Sequence, residues 1–365
     1  MKEYMFILGR DPELSLIELV AYLQKNGVEY SIKNISKSAA IFSTSEKFQP
    51  GKAVKHLGGT IKIGKILEDV EEAYEGTENK IKYAISAYGK ANIKDIHREI
   101  KKSFKKQKLK AFYKKPKREK ALMPSEVIKQ KLIESGIEFL AYENHLAKTV
   151  AVFDPFEHEK RDEEMPCKDY LKTISIRLAK ILINLSQAKN LLLDPFCGYG
   201  IILQEAILQD INVVGIDLDK QSVESAEKNL MFIEKNYKTK ANYRVIEGDS
   251  RHLSSLVEEA DGIATEPYLG PYLKKIPSLK EAQKTMKELE CLYRQVLKEA
   301  KKVVKGKIAI IVPRFQTSQK KEAVMDFGKI LKEEGYKAWQ PLNQIRTPVI
   351  YPHGKILREV WVIET

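Results

Sequence analysis

"LLLDPFCGYG", Leu191 to Gly200, is an apolar run that stops on an acid and then turns on two glycines. The run reads as a buried strand, and "IILQEAILQ" after it reads as a helix. Gly198 and Gly200 permit a tight turn and the close approach of a ligand that a Cβ would block. The next helix opens on unpaired N–H groups and a partial positive charge, which suits a carboxylate.

The same alternation continues downstream. "INVVGIDL" is a strand, "KQSVESAEKNLMFIEKN" a helix, and "NYRVIEGD" and "ADGIATEP" are strands. A long helix, "LKEAQKTMKELECLYRQVLKEAKKVV", leads to the strand "KIAIIVP", and "LKTISIRLAKILINL" is a helix upstream. Strands alternating with helices predict an α/β, doubly wound and mainly parallel sheet, which binds ligands beyond the carboxyl ends of its strands. The tail "QIRTPVIYPHGKILREVWVIE" predicts two strands around Pro352-His353-Gly354.

The candidate chemistry falls at those strand ends. Asp194 closes the first strand. Asp217 closes the second and suits ribose hydroxyls, and Asp249 closes the third and suits an adenine amino group. A dinucleotide site needs a third glycine, but Ile201, Ile202 and Leu203 follow Gly200. S-adenosylmethionine needs a close backbone, a ribose acid and an adenine acceptor on successive strands, with no pyrophosphate. The series Asp194, Asp217, Asp249, Glu266 fits it better. The bland reading is a row of polar strand ends.

Composition frames this choice. The chain has 365 residues, 43% hydrophobic and 31% charged, with a formal net charge of +13 and pI near 9.2. That length predicts two to three domains, and the basic excess points to a polyanionic partner such as nucleic acid. Cys167, Cys197 and Cys291 have neither metal-ligand nor disulfide spacing, which fits a reducing cytoplasm and no metal. No apolar run is long enough for a signal peptide or a membrane span.

Upstream of Asp154 the pattern is α+β. "EYMFILG", "KSAAIFST", "TIKIGKIL" and "KIKYAISAYG" read as strands. "DPELSLIELVAYLQKNG" reads as a helix, with a capping box of Ser15 and Glu18 and an end at Gly27. "NIKDIHREIKKSF" is a helix with Ile93, Ile96 and Ile100 on one side. It opens a basic stretch, Arg98 to Lys120, with few acids and with Phe104, Phe112 and Tyr113 interleaved. Lys105, Lys106, Lys108, Lys110, Lys114 and Lys115 are the candidate RNA contacts there, against the bland reading of a solvated face. "DPFEHEKRDEEMPCKD", Asp154 to Asp169, is polar and reads as a linker.

"DPFCGYGIILQEA", "GIDLDKQSVESAEKNL", "GDSRHL" and "TEPYLG" resemble the tRNA guanosine-10 N2-methyltransferase family. "ILGRDPELSLIEL", "HLGGTIKIGKIL", "KTVAVFD", "RDEEMPCKD" and "LREVWVIE" resemble other parts of the same family. The resemblance implies a ferredoxin-like domain at residues 1–68, a THUMP RNA-binding domain at 69–153, a linker at 154–171 and a Rossmann-like class I S-adenosylmethionine methyltransferase domain at 172–365. Cofactor contacts then fall to Asp194, Phe196, Gly198, Gly200, Asp217, Leu218, Asp249 and Ser250. The partner is tRNA, with no membrane, and the sequence leaves room for a small accessory subunit.

The family's Asp-Pro-Pro-Tyr clamp, which holds the target amino group, reads Glu266-Pro267-Tyr268-Leu269 here. Tyr199 and Ile201 stand where the family has small or hydroxyl-bearing residues. Glu266, Pro267 and Tyr268 are the candidate catalytic residues. Glu266 would accept from the amino group and Tyr268 would stack on the base. The longer side chain shifts the carboxylate by about 1.5 Å, one carbon–carbon bond. Three other readings stand beside this one: an amino-methyltransferase for another RNA site or for adenine, an RNA-binding protein that has lost turnover, and a basic dehydrogenase. Arg314 near a strand end fits either a phosphate contact or a structural role.

Overall fold

A computed structural model describes residues 1–116, 120–169, 174–352 and 356–364. The chain divides into two compact units, Met1–Leu19 with Asn26–Glu164 and Val20–Lys25 with Met165–Thr365.

In the first unit the elements run β1 (Lys2–Leu8), α1 (Pro12–Lys25, of which Val20–Lys25 belongs to the second unit), β2 (Tyr30–Ile35), β3 (Ala39–Thr44), α2 (Pro50–His56) and β4 (Thr60–Ile66). They continue with β5 (Lys80–Tyr88), α3 (Ile93–Lys106), β6 (Lys110–Tyr113), α4 (Pro124–Lys129), β7 (Gly136–Tyr142), β8 (His145–Val152) and α5 (Pro155–Glu164). All eight strands form one sheet in the order β2-β3-β1-β4-β8-β7-β5-β6. The antiparallel β4–β8 pair joins its two halves. The polar stretch expected as a linker holds the ten-residue helix α5.

Amphipathic α3 buries Ile100 and Phe104 with Tyr83 and Phe139 of the sheet, and Ile93 and Ile96 pack against the same cluster. Its lysines line the opposite side, as the spacing predicts. The expected capping box does not form. Ser15 lies inside α1 and its hydroxyl donates to Asp11 O at 2.8 Å. Glu18, fully buried, instead accepts from the backbone N–H groups of Gly58 and Gly59, both at 2.7 Å. A carboxylate in an apolar setting needs such donors, and the Gly-Gly turn after α2 supplies them. Gly27, with φ +60°, follows the end of α1 as expected.

Lys62 on β4 and Glu138 on β7 form an ion pair with both side chains fully buried. Lys62 Nζ also donates to Leu122 O at 2.7 Å, while Ser86 and Thr149 donate to the Glu138 carboxylate. Burial pulls the Lys62 ammonium below its ordinary value, against the opposing pull of Glu138.

The second unit holds α6 (Ile176–Ser186), β9 (Leu191–Asp194), α7 (Ile201–Ile207), β10 (Asn212–Asp217), α8 (Lys220–Asn236), β11 (Tyr243–Glu247), α9 (Leu253–Leu256), β12 (Gly262–Thr265) and α10 (Leu279–Val303). After them come β13 (Lys307–Gln316), β14 (Glu322–Val324), α11 (Phe327–Glu333), β15 (Lys337–Ala338), β16 (Val349–Tyr351) and β17 (Ile356–Glu364). The sheet order is β11-β10-β9-β12-β13-β17-β15. From β11 to β13 every pair is parallel, and β17 alone among the central strands runs antiparallel, against β13.

Both sheet faces are buried, as its apolar strands require. Leu193, Ile263, Ile308, Ile310 and Val312 pack with Leu289 and Tyr293 of α10 and Phe327 of α11. Their neighbours Leu192, Ala264, Ala309 and Ile311 are also buried. β16 and β17 form the antiparallel pair expected of the tail; its turn, His353–Lys355, lies outside the described residues.

Candidate active site

Asp194, Asp217, Asp249 and Glu266 stand at the carboxyl ends of β9, β10, β11 and β12, four adjacent strands. Asp194, Asp217 and Glu266 interact electrostatically. Burial drives the Asp194 carboxyl up to about 7, and the negative charges of Asp217 and Glu266 add to that rise. Asp194 is 1% exposed, and its Oδ1 accepts from Thr265 Oγ1 at 2.7 Å and from Phe196 N at 3.1 Å. It therefore ties the turn after β9 to the end of β12. Phe196 is half-buried beside it.

The turn itself is built by backbone. Gly198 has φ +50° and its N–H donates to Asp217 Oδ2 at 2.8 Å. A Cβ at Gly198 would meet no protein atom within 4 Å, so the space over this loop is open to a ligand. Gly200, with φ +80°, caps α7, and a Cβ there would press on Ala226 Cβ at 3.2 Å. α7 is only seven residues long. Asp217 Oδ1 accepts from Asp219 N at 2.9 Å, so both of its oxygens already hold backbone and each keeps a further lone pair for a hydroxyl. Leu218, 71% exposed, presents an apolar side chain beside this acid.

Asp249 is not idle. Both its oxygens accept from the Arg251 guanidinium, and that bond holds the carboxyl below its ordinary range. An adenine amino group would share this acceptor with Arg251. Ser250 is buried and donates to Pro195 O, fixing the turn after β9. Cys197 is buried, and burial with the nearby Asp194 and Asp217 charges drives its thiol well up, as an unreactive packing residue requires.

At the candidate clamp, Pro267 is buried while Tyr268 is 55% exposed. Arg358 of β17 forms an ion pair with Glu266, their side chains 15% and 14% exposed. Tyr293 of α10, almost fully buried, donates its hydroxyl to Tyr268 O at 2.9 Å. The carboxylate and the backbone two residues on are thus fixed from two different elements.

Sequence reasoning singled out neither Arg358 nor Tyr293, nor Thr265 and Asn229. The buried Asn229 amide of α8 donates to Tyr199 O at 3.0 Å and to Cys167 O at 3.1 Å, and its oxygen accepts from Cys167 N at 2.9 Å. It binds the Met-Pro-Cys segment to the glycine turn. A buried amide inside an amphipathic helix pattern was the available signal. Arg314 takes the structural role: it pairs with Glu359, with Nε to Oε1 at 2.9 Å, and with Glu322.

The six candidate lysines are all exposed, Lys105 and Lys106 at the end of α3 and the others on and around β6. Lys106 is engaged by Glu71 at 2.8 Å. Lys117, Arg118 and Glu119 of the basic stretch lie outside the described residues.

A seven-strand order with the antiparallel strand inserted beside β13, a glycine turn after β9 and acids at the neighbouring strand ends define a class I, Rossmann-like methyltransferase. The RMKL-like methyltransferase domain profile (UPF0020) matches residues 168–334, and the DNA methylase profile (N6_N4_Mtase) matches residues 25–228. The second match takes in more than half of the chain, and the chain belongs to that methyltransferase family.

The tRNA (guanine(10)-N2)-dimethyltransferase of Methanothermobacter thermautotrophicus is 41% identical over 28% of this chain and 29% of its own. Its namesake from Pyrococcus abyssi is 32% identical over 38% of each chain. The matched regions thus span well under half of these relatives. TrmN from Thermus thermophilus shares the fold over 99% of both chains, at a TM-score of 0.50 and 15% identity. S-adenosylmethionine is the cofactor of this class. The open cradle over Gly198, the acid Asp217 and the exposed Leu218 fit its aminoacyl, ribose and adenine parts.

Proposed function

We propose that this chain transfers a methyl group from S-adenosylmethionine to the exocyclic N2 of a guanosine in tRNA, at position 10. The observation that supports it most is the single rim shared by Asp194, Asp217 and Glu266, where cofactor acids and clamp acid stand together.

Bound there, S-adenosylmethionine supplies an electrophilic methyl group. An aromatic amino group is a weak nucleophile because its lone pair is delocalised into the ring. Glu266 accepts a hydrogen bond from N2–H, which draws the lone pair out of conjugation, and stabilises the positive charge that builds on nitrogen. Arg358 holds that carboxylate in place despite its extra methylene. Pro267 fixes the local backbone, and Tyr268 offers a ring face to a base extruded from its helix. On methylation the N2 proton would leave towards Glu266. Such positioning is worth roughly 7–11 kcal/mol in favourable cases.

In this reading residues 1–68 are a ferredoxin-like domain, 69–153 a THUMP domain, 154–171 their link and 172–365 the catalytic domain. The lysines Lys105, Lys108, Lys110, Lys114 and Lys115 contact phosphates. The setting is the cytoplasm, consistent with three free thiols. Among the described residues no helix is long and apolar enough to cross a membrane.

The test is nucleoside mass spectrometry of unmodified tRNA incubated with protein and labelled cofactor. N2-methylguanosine mapped to position 10, lost in Glu266→Ala with cofactor binding intact, is the expected result. Label on adenosine or at another site supports the alternative amino-methyltransferase, and cofactor binding with no transfer supports an RNA-binding protein without turnover.

A further inference from the structure

We propose that the segment Pro271–Ile276, with Tyr272 at its centre, is a stacking platform for an unpaired nucleotide of the RNA beside the target base. The inference rests on the reading of this site as one that acts on RNA.

Tyr268, Tyr272 and Ile276 are 55%, 71% and 49% exposed, three large apolar side chains in one nine-residue stretch that begins at the clamp. Tyrosine rings exposed so close together in sequence, beside the candidate site, suit a binding surface, where one end of the side chain is apolar and the other polar. Elsewhere in this unit Leu218 is as exposed, next to Asp217 in the proposed cofactor site, and Met231 of α8 is 60% exposed with no second large apolar side chain exposed in its helix. Nothing comparable among the described residues accounts for Tyr272.

The segment is held at both ends. Tyr293 bonds Tyr268 O at 2.9 Å, and Gly270 sits so close to α10 that a Cβ would come within 2.8 Å of Thr285 Cγ2. At the far end Ser318 N donates to Pro277 O at 2.9 Å, and Ser278 and Glu281 form a capping box on α10. The ring of Tyr272 is therefore displayed outward from fixed anchors.

Its neighbours choose the partner. Lys274 and Lys275 follow Tyr272 by two and three residues in a chain of net charge +13. A ring face with adjacent lysines is the combination that binds single-stranded nucleic acid, the face taking any base and the cations the phosphates. Protein-binding patches are instead depleted of lysine. Four residues span at most about 14 Å, and a stacked strand advances about 3.4 Å per nucleotide. Tyr272 thus reaches a nucleotide within about four positions of the one facing Tyr268.

The test measures binding of an unmodified tRNA transcript to the full chain, without turnover, for Tyr272→Ala, Tyr272→Phe and Tyr272→Leu. Stacking predicts binding weaker by about 5- to 150-fold for Ala and for Leu, the range expected when one base no longer stacks on an aromatic ring. Phe should match the wild type, and cofactor affinity and melting temperature should hold in all three. Wild-type binding by the Ala variant, or by the Leu variant, overturns the platform. Because binding is read directly, a wild-type chain that transfers no methyl group would sink the catalytic reading and leave this comparison decisive.

Discussion

Arg358, near the start of β17, donates its Nε–H to the Glu266 carboxylate 92 residues upstream at the end of β12. The antiparallel direction of β17 makes this possible. Arg358 lies opposite Pro313 of β13, so the strand begins at the rim where the parallel strands finish. Arg358→Ala should lower methyl transfer about a hundredfold, the effect of a carboxylate displaced by about an ångström. Arg358→Lys should recover part of it, and cofactor affinity should not change. Turnover and KM on tRNA, with cofactor titration, check this; unchanged turnover in Arg358→Ala removes the pair from the mechanism.

Asp194 binds its proton more tightly when folded, at about 7 against 3.8 in the open chain. Its contribution to stability is therefore complete below about pH 4 and is lost as pH rises through about 7. The whole span is worth up to about 4 kcal/mol. Asp194→Asn should flatten stability across this window relative to the wild type. Denaturant midpoints at several pH values measure it, and parallel curves for the two proteins would refute it.

Lys62→Met should destabilise the first unit by about 3–5 kcal/mol, because Glu138 would keep a buried charge with no cation. Adding Glu138→Gln should restore a large part, since the amide still meets Ser86 and Thr149 without a charge. Equilibrium unfolding of both variants decides, and a double variant no more stable than the single one would contradict the account.

Replacing Lys105, Lys108 and Lys110 with Glu should weaken tRNA binding and lower its salt slope by about two to three, nearly one for each phosphate that loses its cation. Lys106 is left out because its partner Glu71 would then face a like charge. Titrations at several salt concentrations read the slope; an unchanged slope returns this surface to solvent.

The alternation of strands and helices, the glycine turn after β9 and the acids at strand ends were all legible in the sequence. Periods of 2 and 3.6 residues and the backbone demands of a turn are local properties. What joins distant segments was not. Glu18 read as half of a capping box, yet it serves a Gly-Gly turn 40 residues away. Asn229 read as a helix residue, yet it couples Cys167 to Tyr199. Strand order alone set Arg358 against Glu266 and Lys62 against Glu138. The sequence by itself determined which residues end at the rim of the sheet. Only the tertiary structure decided which charges meet there, because a side chain's partner depends on which strands become neighbours, and that is settled by packing across the whole unit.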